Sequence, residues 1–132
     1  MSFESQSEKS KGSSRRGIKA NIVVSQVYKP STNSEEISFR VSSSLMSKFG
    51  VSVGSRVDVL RDEIEDLWMI KVSDDGFLIS GKEGAPTGLI RYTLKNDHAK
   101  LTNDRGLLPF KREVEESSLQ ISDGSVIFGL VK

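Results

Sequence analysis

Glu36-Ile-Ser-Phe-Arg-Val-Ser-Ser-Ser-Leu-Met-Ser-Lys-Phe-Gly-Val-Ser-Val-Gly-Ser-Arg-Val-Asp-Val-Leu60 joins several sequence periods into one unit. Ile37, Phe39 and Val41 alternate with Ser38 and Arg40, the period of a strand with one wet face. Ser42 to Ser44 offer hydroxyls to cap a helix. Leu45, Met46 and Phe49 then fall at helical spacing over roughly two turns, and Gly50 stands where the helix end favours left-handed geometry. Val51 to Ser55 turn the chain, and Val57 and Val59 resume the alternation with Asp58 outward. The order is strand, short helix, turn, strand. Because Phe39 and Val41 must point inward, Arg40 is forced outward from a rigid element.

Downstream, Arg61-Asp-Glu-Ile-Glu-Asp66 concentrates four carboxylates between two apolar segments and reads as a solvated hairpin tip; the alternating ligands and sharp-turn Gly of a calcium loop are absent. Trp68, Ile70 and Val72 share one face of the next strand, and Ser73-Asp-Asp-Gly76 turns the chain into Phe77-Leu-Ile79. Gly81 to Gly88, with three Gly and one Pro, marks a boundary between halves and lacks the closing Gly-Lys-Ser/Thr of a phosphate loop. Leu89 to Leu94 then alternates with Ile90, Tyr92 and Leu94 on one face, and Asn96-Asp97 predicts a hairpin turn into Ala99 to Thr102. Arg112 to Leu119, with Glu113, Glu115 and Glu116 near its start, predicts a second short helix, and Ser125 to Val131 a closing strand. Upstream, Ile22, Val23, Val24, Val27 and Tyr28 predict a strand. Phe39, Val41, Leu45, Phe49, Val57, Val59, Ile70, Tyr92, Phe128 and Leu130 lie on the apolar sides of their periods and are the expected core.

Over about residues 35 to 80, the order and lengths of these elements resemble the AbrB/MazE/SpoVT family of swapped-hairpin transcription factors. Where that family usually carries a Pro after the first strand and an acidic residue after the turn Gly, this chain has Ser42 and Ser55. The resemblance implies DNA contacts from basic side chains on the first strand and its flanks, a role that would pass to Arg40, with Lys48 and Arg56 beside it.

An internal echo extends the pattern. Phe49 to Leu60 lines up without gaps on Leu119 to Leu130, with Ser52, Gly54, Ser55 and Leu60 recurring as Ser122, Gly124, Ser125 and Leu130, and Phe39-Arg40 is matched by Phe110-Lys111. A repeated strand, helix, turn and strand is what two half-barrels in one chain require. The expected fold class is therefore mainly β with two short helices, near 43–49 and 112–119. It would form a swapped-hairpin or double-psi-like β-barrel built from half-repeats at about 35–80 and 89–131. A chain whose second half completes the barrel works as a monomeric pseudo-dimer; otherwise the first unit must borrow a hairpin from another copy as a homodimer.

With 132 residues, one domain over residues 18–132 is expected. Residues 1–17 carry Phe3 as their only large apolar side chain and read as a disordered basic arm. Residues 1 to 30 hold Lys9, Lys11, Arg15, Arg16, Lys19 and Lys29 against Glu4 and Glu8, a net +4, whereas the remaining 102 residues hold 13 basic and 16 acidic side chains, a net −3. Nucleic-acid contact must then come from a local patch or from the arm. No apolar run approaches the roughly 18 residues of a membrane span, and the polar start lacks the centre of a signal peptide; a soluble cytoplasmic protein with no membrane partner is expected. There is no Cys and His98 is the sole histidine, so disulfides, thiol chemistry, nucleophilic triads and the common zinc sites are excluded on inventory. No catalytic residue, metal or cofactor is expected. Two functions remain open. One is a DNA-binding transcriptional regulator using Arg40, Lys48 and Arg56, the echo's Lys111 and Arg112, and the arm's Arg15, Arg16 and Lys19. The other is a small protein-binding regulator or inhibitor of a larger machine, favoured by the acidic folded part.

Overall fold

The alternation of apolar and polar residues is realised as two antiparallel sheets laid face to face. A computed structural model describes residues 20–82 and 84–131. Its first sheet contains β1 (Ile22–Lys29), β2 (Ser34–Ser42), β6 (Thr87–Thr93) and β7 (Phe110–Glu113), in the order β6-β2-β1-β7. The second contains β3 (Arg56–Asp62), β4 (Leu67–Val72), β5 (Phe77–Leu78), β8 (Gln120–Ser122) and β9 (Ser125–Phe128), in the order β5-β3-β4-β9-β8. The ladders do not close into a barrel among the described residues. Isolated bridges from Ser80 to Leu89 and from Val114 to Leu130 join the sheets at two corners.

The inner faces carry Ile22 and Val24 of β1, Ile37, Phe39 and Val41 of β2, and Ile90 of β6 against Val57, Ile70, Val126 and Phe128 of the other sheet, all buried. Removing this apolar surface from water is the main drive for the sheets to stack. Four aromatic rings run through the layer: Phe39 meets Trp68 edge-on at 5.3 Å and stacks toward Tyr92 at 6.3 Å, and Tyr92 stacks on Phe77 at 4.5 Å. Seven of the ten expected core residues are buried, while Val59, Tyr92 and Leu130 are partly buried against the core's edge. Val72 has the expected parity but ends its strand, beyond the cover of the first sheet, and is 44% exposed.

α1 (Ser43–Lys48) carries the chain from one sheet to the other. Ser42 caps it, its Oγ accepting from the Leu45 N–H at 3.2 Å. Leu45 and Met46 are buried, and Gly50, at φ +85°, reverses the chain where a side chain would be strained. No helix among the described residues is long and apolar enough to cross a membrane.

Two expectations are corrected. The second helix does not form: Arg112 and Glu113 pair with Val24 and Val23 of β1, the Val114 N–H donates to Ile22 O, and the Glu115 N–H donates to Gly129 O. With those amides bonded to other strands, only a 3-10 turn at Glu116–Ser118 remains. Ala99 to Thr102 is likewise no strand. The buried Gln26 takes a strand's place as partner: its Oε1 accepts from the Leu101 and Thr102 N–H groups at 2.8 and 3.2 Å, and its Nε2 donates to Thr102 O at 3.0 Å. The same Nε2 donates to Glu35 at 2.8 Å, and Arg105 reaches the other Glu35 oxygen at 3.2 Å. Burial would raise the Glu35 carboxyl, but these hydrogen bonds, with the nearby charge of Lys100, hold it below the usual range.

The echoed segments both leave the first sheet, make a short turn of helix and enter the second, and Gly54 and Gly124 both take positive φ, 97° and 84°. Their burial is out of phase, since Val126 and Phe128 are buried where the alignment pairs Val57 with Ile127. The arm of residues 1–17 lies outside the described residues.

Truncating Phe49 or Phe128, both fully buried, to Ala is expected to cost roughly 3–5 kcal/mol in denaturant unfolding. A loss below about 1 kcal/mol at either position would contradict the packing described. Burial, reinforced by the charge of Asp58, pushes the Tyr92 phenol up to about 12 from 10.0. The folded protein holds this proton more tightly than the unfolded chain, so the associated stability is intact below pH 10 and is lost as pH rises toward 12. Over that interval the denaturation midpoint of Tyr92→Phe should fall less than that of the parent; equal falls would place the alkaline loss elsewhere.

Candidate nucleic-acid interface

Strand parity decides which basic residues share a surface. In the first sheet β2 buries Ile37, Phe39 and Val41, so Ser38 and Arg40 stand on the outer face. β6 buries Gly88 and Ile90, which sends Leu89 and Arg91 outward, and β7 turns Phe110 and Arg112 inward, with Val114 buried just past its end, leaving Lys111 and Glu113 outside. The register then aligns them. Arg91 faces Ser38, Ser38 faces Ser25 and Ser25 faces Lys111, forming one row across all four strands. The adjacent row is Leu89, Arg40, Val23 and Glu113.

Neighbouring strands lie about 4.8 Å apart, so Arg91 and Lys111 rise from backbones about 14 Å apart with a floor of two short serines between them. Arg40 stands one row away. All three cations are exposed, and none makes an ion pair, hydrogen bond or ring contact with another described residue. Of the carboxylates on this face, Glu36 is neutralised by Lys29 at 2.8 Å, and Glu113 is exposed at the β7 end of Arg40's row, on the same face as Lys111. The result is a rigid strip with three cations against the one exposed carboxylate of Glu113 and little relief.

The other expected site residues are dispersed. Lys48 is exposed in the last turn of α1, where a cation complements the helix's terminal carbonyls. Arg56 lies on the second sheet, its Nη1 donating to Gly76 O at 3.1 Å to brace the β3–β5 corner. Arg112 is on the opposite side of β7 from Lys111, half-buried, with its guanidinium 5.0 Å over the Phe110 ring; it cannot join the outer strip. Arg15, Arg16 and Lys19 lie outside the described residues. The arrangement also adds Arg91, which the sequence reading missed. The signal was present, because Ile90-Arg91-Tyr92 repeats the local logic of Phe39-Arg40-Val41, but only the pairing of β2 with β6 brings Arg91 beside Arg40. His98 has a structural role, its Nδ1 accepting from the Lys95 N–H at 2.8 Å and its ring lying 5.2 Å from Tyr92.

No family model, curated protein or solved structure matches the chain.

Proposed function

We propose that this protein is a DNA-binding transcriptional regulator that lays the outer face of its four-stranded sheet on the phosphate backbone. The observation carrying this reading is the strip of three unpaired cations, Arg40, Arg91 and Lys111, on three strands of one sheet. Phosphate binding needs positive charge held at fixed separation, and its affinity comes largely from counterion release. A sheet face supplies such charge without the entropy loss of ordering a loop. Arginines at the strip's edge would reach base edges, where a guanidinium can donate two parallel hydrogen bonds. Arg15, Arg16 and Lys19 would add contacts to phosphates independent of sequence.

The same proposal takes the fold as a divergent relative of the AbrB/MazE/SpoVT barrels, with the two halves of one chain acting as a monomeric pseudo-dimer in the cytoplasm. Support comes from the two corner bridges between the sheets and from the crossings β2-α1-β3 and β7-turn-β8-β9, of which β2, β3, β7 and β9 flank the shared central strands β1 and β4, the edge strand β8 being an addition of the second. A second reading, a protein-binding regulator, is favoured by Ile64, which is 94% exposed at the tip of the acidic β3–β4 hairpin, where water alone surrounds a large apolar side chain.

Retardation of a labelled DNA duplex between about 50 and about 200 mM salt separates these functions. The parent should bind with a steep salt dependence. The triple variant Arg40→Ala, Arg91→Ala, Lys111→Ala should bind at least about tenfold more weakly and lower the log–log slope by about 2.7, the loss of three phosphate contacts. Arg56→Ala should leave binding nearly unchanged, and deleting residues 1–17 should weaken all DNA alike. Absence of retardation of the parent at the lowest salt would overturn the DNA-binding reading in favour of the protein-binding one.

A further inference from the structure

A second group of cations faces into the molecule. On β7 Phe110 and Arg112 pair with the buried Gln26 and Val24, so Arg112 points toward the space between the sheets. There it borders a cavity of about 350 Å³, open at one mouth of the sandwich. Arg61 near the end of β3 and Lys100 from the segment clamped by Gln26 bring two more positive charges to the lining. Arg61 is satisfied: its Nη2 bonds Asp66 at 2.7 Å, and its guanidinium lies 4.9 Å from the Trp68 ring centre. Lys100 and Arg112 are both half-buried, and neither is ion-paired with a described residue. The charge of Lys100 acts on Glu35, whose two oxygens are already engaged by Gln26 and Arg105. With three cations against the one Asp66 carboxylate, the lining holds an excess of positive charge whose partial desolvation is unfavourable, and an added anion would offset that cost. The rest of the lining is the Asp66 carboxylate, held by Arg61, together with Trp68, Leu101 and Leu130.

We propose that this cavity binds a small phosphate monoester. Its dianion would lie between Arg112 and Lys100 and its organic group against Trp68, giving the protein a ligand site separate from the sheet strip. Arg112 offers a planar fork that fits two phosphate oxygens, and Lys100 adds a point charge. The volume lies at the small end of the range for ligand sites, which suits a single ring or a short chain on the phosphate. The site does not depend on the DNA-binding reading, because its residues lie on the opposite face of β7 from Lys111.

Trp68 is the sole tryptophan and lines the cavity, so its fluorescence reports occupancy directly. The 132-residue protein is titrated with phenyl phosphate, inorganic phosphate and phenol at constant ionic strength. Phenyl phosphate should change the Trp68 emission saturably, inorganic phosphate should bind more weakly for lack of the apolar contact, and phenol should give no saturable change. Arg112→Gln and Lys100→Gln should each weaken phenyl phosphate by about tenfold or more, the loss expected for a hydrogen bond to a charged group. Lys111→Ala, on the other side of the strand, should bind it as the parent does. Lys100→Gln retains the test should Arg112→Gln fail to fold, because Lys100 lies outside the strands. No saturable response to phenyl phosphate, an equal response to phenol, or parent-like affinity in a folded Arg112→Gln or Lys100→Gln variant would overturn the proposal.

Discussion

The contact of Phe39 with Trp68 across the interior is the constraint on which the rest depends. Phe39 is in the middle of the first sheet and Trp68 in the second, and their edge-to-face meeting at 5.3 Å ties together the strands that occupy the centres of both layers. Because side chains alternate strictly along a strand, a one-residue slip of β2 would bring Arg40 into this apolar layer and expose Phe39. The cost of burying a guanidinium there keeps the register in place. The parity that buries Phe39 is thus also the parity that presents Arg40, and through the pairing of β2 with its neighbours it sets where Arg91 and Lys111 stand.

Gln26 does for the polar interior what Phe39 does for the apolar one. It is the only buried polar or charged side chain among the described residues, and its amide is engaged at both ends by the 101–102 backbone and by Glu35. A buried amide left unpaired would be costly, so the segment after β6 is held against β1 even though it forms no ladder. That clamp places Lys100 and Leu101 in the lining of the same cavity as Arg112. The two basic regions therefore have different origins. The outer strip follows from strand alternation, and the inner one from a side chain acting as a substitute strand.

The stretch from Glu36 to Leu60 was legible because its signals are local. Apolar alternation, the Ser42 cap and Gly50 each act over a few residues, and all point to strand, helix and strand. The outward direction of Arg40 followed from the same alternation. Short-range signals misled where distant partners competed for the same backbone. Arg112 to Leu119 has helix-favouring glutamates, yet β1 and Gly129 take its amides for inter-strand bonds. Arg112 seemed a companion of Lys111 because the two are adjacent in sequence, whereas in a strand adjacent side chains point to opposite faces.

The sequence by itself determined the β class, most of the core, and the rigid outward placement of Arg40, because each depends on periods that a few neighbouring residues express. Only the tertiary structure decided that Arg91 and Lys111 share a face with Arg40 and that Arg112 turns toward a cavity with Lys100. Those relations depend on which strands pair, in what register, and on Gln26 bonding to residues some 75 positions away. Such pairings are settled by the burial of whole sheet faces, an energy shared by the entire chain that no short stretch of sequence displays.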